Sequence, residues 1–162
     1  MFNLNSETYL KIIFLFSFAA LIGAYFIEYV FGHQPCNLCL IERIPYGLSI
    51  IIASVILILK KNEKFFSILL LLTFIFSFTI SLYHLGIEQS IFEESTVCTA
   101  KDFSENITKE DLLNQLSKRT ISCKDVTFRI FGFSLTTFNI ITSLILLVLL
   151  TKIFKNYEKF KK

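Results

Sequence analysis

Four uncharged apolar runs dominate the 162-residue chain: Ile12 to Ile27, Ile44 to Leu59, Phe65 to Ile87 and Ile130 to Thr151. Runs of this kind leave few folds open. In a bilayer each backbone N–H and C=O needs a partner inside the protein, and a helix supplies one locally. Crossing the hydrocarbon takes roughly 20 residues at about 1.5 Å rise each. The third and fourth runs meet that length. The first reaches it if Glu28 is tolerated on the way to Phe31, and the second if Leu40 and Ile41 are added. Glu28 and Arg43 then lay their carbon stems in lipid and keep their charged heads at the interface. With 54% hydrophobic residues and 19 phenylalanines, an ordinary soluble domain is excluded. The expectation is an all-α membrane protein, a four-transmembrane-helix bundle forming a single domain over 1–162. Its spans lie at roughly 10–30, 40–59, 65–87 and 133–152, and its outer loops at roughly 31–39 and 88–132.

The first run also has the position of a secretory signal peptide. It lacks a basic leader beyond Lys11, and no A-x-A cleavage site follows, so a retained helix is favoured. Lysines orient the bundle. Lys60, Lys61 and Lys64 crowd the turn between the second and third runs, and Lys152, Lys155, Lys159, Lys161 and Lys162 follow the fourth. Both clusters read as cytoplasmic by the positive-inside rule. The 88–129 segment, with six basic and eight acidic residues, is too long and too mixed to vote. Four crossings then put both termini in the cytoplasm and both cysteine-bearing connections outside. Cys36, Cys39, Cys98 and Cys123, all the cysteines of the chain, fall on that one side. In a bacterium it is the oxidising side, where disulfides persist.

Cys36 and Cys39 form a C-x-x-C at the outer lip of the second span, where a helical start puts them on one face. A helix N-terminus and a nearby cation both favour thiolate, the reactive form. Arg43, one turn after Cys39, supplies a permanent charge that can stabilise a thiolate or polarise a ligand. Its plainer reading is an interfacial anchor. Pro45 frees the Ile41 carbonyl, a loosening tolerated where a membrane helix borders a cavity. The C-x-x-C is also half of a zinc site whose partners would be Cys98, Cys123 and His33 or His84, but the second pair shows no compact ligand spacing. Cys98 and Cys123 alone would serve equally as a structural staple. A second thiol pair on the same face favours exchange, because two disulfides within reach pass through a mixed intermediate. His84, near the outer end of the third span, needs a partner at that depth and is placed to hydrogen-bond a carbonyl ligand or to sit at the interface. Glu28 and Glu42 are expected at the water boundary, solvated or ion-paired. In the long outer loop, Ile107, Leu112, Leu113 and Leu116, after a capping-box pattern at Thr108 and Asp111, suggest a short amphipathic helix over 104–118.

Pro35-Cys36-Asn37-Leu38-Cys39-Leu40-Ile41-Glu42-Arg43 resembles the P-C-x-L-C-x-x-E-R signature of the DsbB disulfide bond formation proteins. Tyr83-His84-Leu85-Gly86-Ile87-Glu88 is similar to that family's Y-H-x-G-V-E segment, and Phe131-Gly132-Phe133-Ser134 with Asn139 to its approach to the last span. The resemblance covers most of the chain, although the family's frequent tryptophans are absent and the outer loop lines up only at its cysteines. It implies a bacterial inner-membrane enzyme that re-oxidises a periplasmic DsbA-like, thioredoxin-fold dithiol and sends the electrons to membrane quinone, ubiquinone or menaquinone. By the same resemblance, the partner attacks Cys98, the released Cys123 attacks Cys36, and Cys39 then donates to quinone beside Arg43 and His84. Neither a metal nor a nucleic acid enters that scheme.

Two other readings compete. A vitamin K epoxide reductase-like enzyme also pairs a C-x-x-C with a quinone-like substrate, but its redox pair is expected on the last core span. A tetraspan scaffold stapled by cysteines would have no redox response to quinone. Thiols at a membrane lip point to a lipid-soluble electron carrier, while the direction of flow depends on relative potentials that residues alone do not set.

Overall fold

The structure, a computed structural model, describes residues 6–60, 62–94, 97–98, 122–125, 128–130 and 132–159. The amphipathic helix expected over 104–118 lies outside them. The described residues form four helices: α1 (Ser6–Tyr29), α2 (Asn37–Leu59), α3 (Glu63–Glu88) and α4 (Leu135–Lys159). All four are long and apolar enough to cross a bilayer. This is an all-α, multi-pass membrane protein.

Its side chains are sorted for lipid. Leu15, Ile22, Ile51, Ile58, Leu72 and Leu144 are each more than half exposed, which a water-facing surface would penalise and hydrocarbon does not. Inside, Leu10 and Ile13 of α1, Ile52 and Ile56 of α2, Leu70 and Phe74 of α3, and Leu146 and Leu150 of α4 close a common core. α1 thus packs into the same core as the other three helices. Between helices, small hydroxyl residues allow close approach: Ser49 Oγ donates to Ser17 at 2.8 Å across α1 and α2, and Ser77 meets Ser143 at 3.0 Å across α3 and α4.

The α2 to α3 turn is tight, with Lys60 (φ 47°) and Asn62 (φ 53°) in the left-handed region and the Lys60 N–H closing α2 on the Ile56 carbonyl. Lys64 lies 5.4 Å over the Phe154 ring, so the start of α3 and the end of α4 share one end of the bundle. The other end carries the cysteines. There a hairpin, β1 (Arg129–Ile130) and β2 (Phe133–Ser134), pairs Arg129 with Ser134 and Ile130 with Phe133 around Gly132 at φ 87°. The expected fourth span began at residue 133. Positions 133 and 134 instead complete the hairpin, and Ser134 Oγ caps α4 by accepting the Thr137 N–H at 3.4 Å.

Candidate functional site

Cys36 is the N-cap of α2, and its sulfur accepts the Cys39 N–H at 3.2 Å. The C-x-x-C spacing is therefore also the spacing of a helix cap, with sulfur in the role an oxygen usually fills. This cap starts α2 at Asn37, so Cys39 lies in the first helical turn rather than in the loop expected over 31–39. Asn37 Nδ2 donates to the Val97 carbonyl at 2.7 Å and so ties the second connection to the start of α2. The next residue, Cys98, is disulfide-bonded to Cys123 with the two Cα atoms 5.3 Å apart. Glu94 holds the far side by accepting from Ser122 Oγ and from the Lys124 N–H. Both cysteine pairs thereby meet in one cluster with Leu38 and Ile87. Cys36 is 5% exposed, Cys98 1% and Cys123 2%. Cys36 and Cys39 carry free thiols.

Beneath them runs a hydrogen-bonded chain. His84, also buried, sets Nε2 at 3.5 Å from Cys36 Sγ and Nδ1 at 2.9 Å from Glu42 Oε1. The second oxygen of Glu42 accepts from Asn139 Nδ2 at 3.0 Å. Asn139 also donates to Ser81 and accepts from the Tyr46 hydroxyl. Thr136, 3.2 Å from His84 Nδ1, donates to Glu88 at 2.5 Å. With its proton on Nδ1 the imidazole donates to the carboxylate and leaves Nε2 free to take the Cys36 proton; protonated, it donates at both nitrogens. The Cys39 thiol, foremost, draws the Cys36 thiol well below its ordinary titration range; burial opposes this and the His84 ring reinforces it.

Glu42 departs from expectation. It is 8% exposed and hydrogen-bonded, not at a water boundary, because helical spacing from Cys39 turns it into the bundle. The Arg43 guanidinium donates to Glu28 at 2.5 Å and lies 4.9 Å over the Tyr25 ring, so its charge is shared with α1. Glu28 is ion-paired, one of the two states expected of it.

A cavity of about 320 Å³ opens beside these groups. Its lining includes Ala20, Gly23 and Ala24 of α1 together with Cys36, Cys39, Arg43 and His84. That size is at the lower end of the ~300–1,000 Å³ usual for small-ligand sites.

Of the ligands weighed for a zinc site, His84 comes to the C-x-x-C, whereas His33 packs against Phe128 at 5.0 Å and Cys98 and Cys123 are used by each other. The four-cysteine arrangement is thereby excluded in this state.

Two comparisons with known proteins bear on the site. The family model "Disulfide bond formation protein DsbB" matches residues 6–153, which takes in α1 to α3, most of α4 and all the cysteines. The chain belongs to the DsbB family. It is 32% identical over 136 residues to the uncharacterized protein RP370 of Rickettsia prowazekii (strain Madrid E), an alignment covering 83% of this chain and 79% of the relative. Membership makes it a membrane protein of disulfide bond formation with oxidoreductase chemistry. In this DsbB-family chain, Glu42, Thr136 and Tyr46 join these groups; Glu42 was expected only at the water boundary, and Thr136 and Tyr46 were not singled out from sequence. Their signal was available for α2 alone: Cys39, Glu42, Tyr46 and Ser49 repeat at helical intervals along one face.

Proposed function

We propose that the protein re-oxidises a DsbA-like, thioredoxin-fold dithiol on the periplasmic side and passes the two electrons of each turnover to membrane quinone. The observation that carries this reading is the packing of the Cys98–Cys123 disulfide and the Cys36 and Cys39 thiols into one cluster, of which Cys36, Cys39 and Cys123 line the cavity.

In a full cycle, a partner thiolate attacks Cys98, the Cys98–Cys123 bond breaks and Cys123 leaves as a thiolate. Cys123 attacks Cys36 of an inner Cys36–Cys39 disulfide, and Cys39 leaves. The partner's second thiolate closes the partner's own disulfide and releases Cys98. Cys98 then attacks Cys123, restores the outer disulfide and frees Cys36. The net change is one disulfide made in the partner and one dithiol left at Cys36 and Cys39. An outer disulfide beside two inner thiols supports this reading. Bound quinone supplies an acceptor for two electrons and two protons. Arg43 and His84 would hold its oxygens, Cys36 and Cys39 give up the electron pair as they close their disulfide, and His84, oriented by Glu42, takes the Cys36 proton.

Stopped-flow mixing of the purified protein with a reduced DsbA-like partner and quinone tests the scheme. Cys39→Ser is expected to abolish quinone reduction while leaving the Cys98–Cys123 disulfide intact. Quinone reduction by Cys39→Ser at the wild-type rate would remove the mechanism.

A further inference from the structure

Cys36 Sγ, Cys39 Sγ and an imidazole nitrogen of His84 lie within 4.8 Å of one another. This is the only such group of three among the described residues. Cys36 Sγ and His84 Nε2 are already 3.5 Å apart. Around a four-coordinate zinc ion, with Zn–S near 2.3 Å and Zn–N near 2.0 Å, neighbouring donors sit about 3.5–3.8 Å from one another. The remaining separations, at most 4.8 Å, need to close by only about 1 Å to reach that geometry. The nitrogen of His84 that faces away from the sulfur is held by the Glu42 carboxylate at 2.9 Å. Carboxylate–imidazole pairing of this kind fixes the ring of a metal-ligating histidine and raises its basicity. All three residues line the cavity, so an ion has a path in and a fourth position open to water. Two thiolates and an imidazole select a thiophilic d10 ion over calcium or magnesium, which take oxygen donors.

We infer that Cys36, Cys39 and His84, when the inner pair is a dithiol, form a binding site for a divalent thiophilic cation, Zn2+, and that the bound ion blocks electron transfer. Binding stands on the three donors alone; the block rests on the relay proposed above. No redox change is involved. Zn2+ displaces two thiol protons and forms two Zn–S bonds and one Zn–N bond. While those bonds last, neither sulfur is free to close the Cys36–Cys39 disulfide, and closing that disulfide first removes the site. Metal occupancy and the inner disulfide therefore exclude each other. The family's thiol chemistry thus gains a switch that responds to periplasmic zinc only in the electron-loaded state.

The experiment uses the full-length protein in detergent, reduced and freed of reductant, with Zn2+ titrated against a chromophoric chelator and Co2+ as the spectroscopic probe. Expected are one ion per chain, no uptake by the diamide-oxidised protein, and Co2+ spectra with thiolate charge-transfer bands and four-coordinate d–d bands. A full-length Cys98→Ala/Cys123→Ala variant should keep the site. His84→Gln should weaken Zn2+ about tenfold or more, and Cys39→Ser by a larger factor. No uptake by the dithiol protein, equal uptake by the oxidised protein, loss of the ion with the outer cysteines, or unchanged affinity in His84→Gln each overturns the three-donor site. In the quinone assay, saturating Zn2+ should stop turnover and EDTA should restore it. Uninhibited turnover at full occupancy overturns the block. A protein that binds Zn2+ as described yet never reduces quinone keeps the site and refutes the relay.

Discussion

Cys36 caps α2 with the same sulfur that its chemistry needs, so helix geometry and thiol reactivity are set by one atom. Its thiol is drawn down chiefly by the Cys39 thiol. A depressed thiol is charged above its own midpoint and loses that charge only as pH falls through it. In protein with the outer disulfide intact and EDTA present, ultraviolet thiolate absorbance should therefore persist at pH about 7, below the ~8.5 of a free thiol. Cys39→Ser, which removes the leading cause, should move the midpoint up. A wild-type midpoint at or above the free value would contradict this account. Arg43 offers a second check. Its charge is paired with Glu28, and both are half-buried, with side-chain exposures of 14% and 21%. Arg43→Gln removes a charged donor worth about 1.5–3 kcal/mol and should raise the apparent quinone requirement about tenfold in steady-state assays. An unchanged requirement would leave Arg43 as the counter-ion of Glu28. The six residues singled out from sequence were legible because thiols, a cation and a histidine are costly at a membrane lip. Which of them touch was not legible. The contacts of Glu28 with Arg43 and of His84 with Glu42 span 15 and 42 residues of chain and depend on how helices pack.

At the level of elements, α2 is the organising helix. Its buried face carries Glu42, Tyr46 and Ser49 above Ile52 and Ile56, a polar segment at the cysteine end giving way to an apolar one. Asn139 of α4 joins that face to α3, since it reaches Glu42, Tyr46 and Ser81 together. Asn139→Leu should strand the second Glu42 oxygen and the Tyr46 hydroxyl near each other without the amide between them. Partial compensation comes from Thr142, 2.8 Å from that hydroxyl. The expected loss is about 1–2 kcal/mol, measurable as a lowered midpoint of thermal or denaturant unfolding in detergent. No change in midpoint would mean that the network positions Glu42 without stabilising the bundle. The helices themselves were readable because an unbroken apolar run has one solution in lipid. The hairpin at 129–134 was not, because two-residue strands are too short to show a period and their residues continue the apolar run of α4. The early start of α2 was hidden for a similar reason: a cysteine is an uncommon cap, and only the Cys36 to Cys39 hydrogen bond reveals it.

For the whole molecule the consequence is directional. The helices alternate, so the cysteine cluster occupies one end of the bundle and the Lys60, Lys64 and Lys152 end the other. Positive charge resists transfer across an energised membrane, and short lysine-bearing segments near helix ends set orientation. The lysine end should therefore face the cytoplasm, which puts Cys36, Cys39, Cys98 and Cys123 together on the oxidising side. A fluorescent protein fused after residue 162 should fluoresce, and alkaline phosphatase fused there should stay inactive. Phosphatase inserted within 99–121 should be active. Replacing Lys60, Lys61 and Lys64 with glutamine should weaken this bias without reversing it, because the lysines after α4 vote the same way. An active phosphatase after residue 162 would put the thiols in a reducing compartment. Under that outcome the outer disulfide has no oxidising surroundings to persist in, and a periplasmic dithiol partner has no route to Cys98.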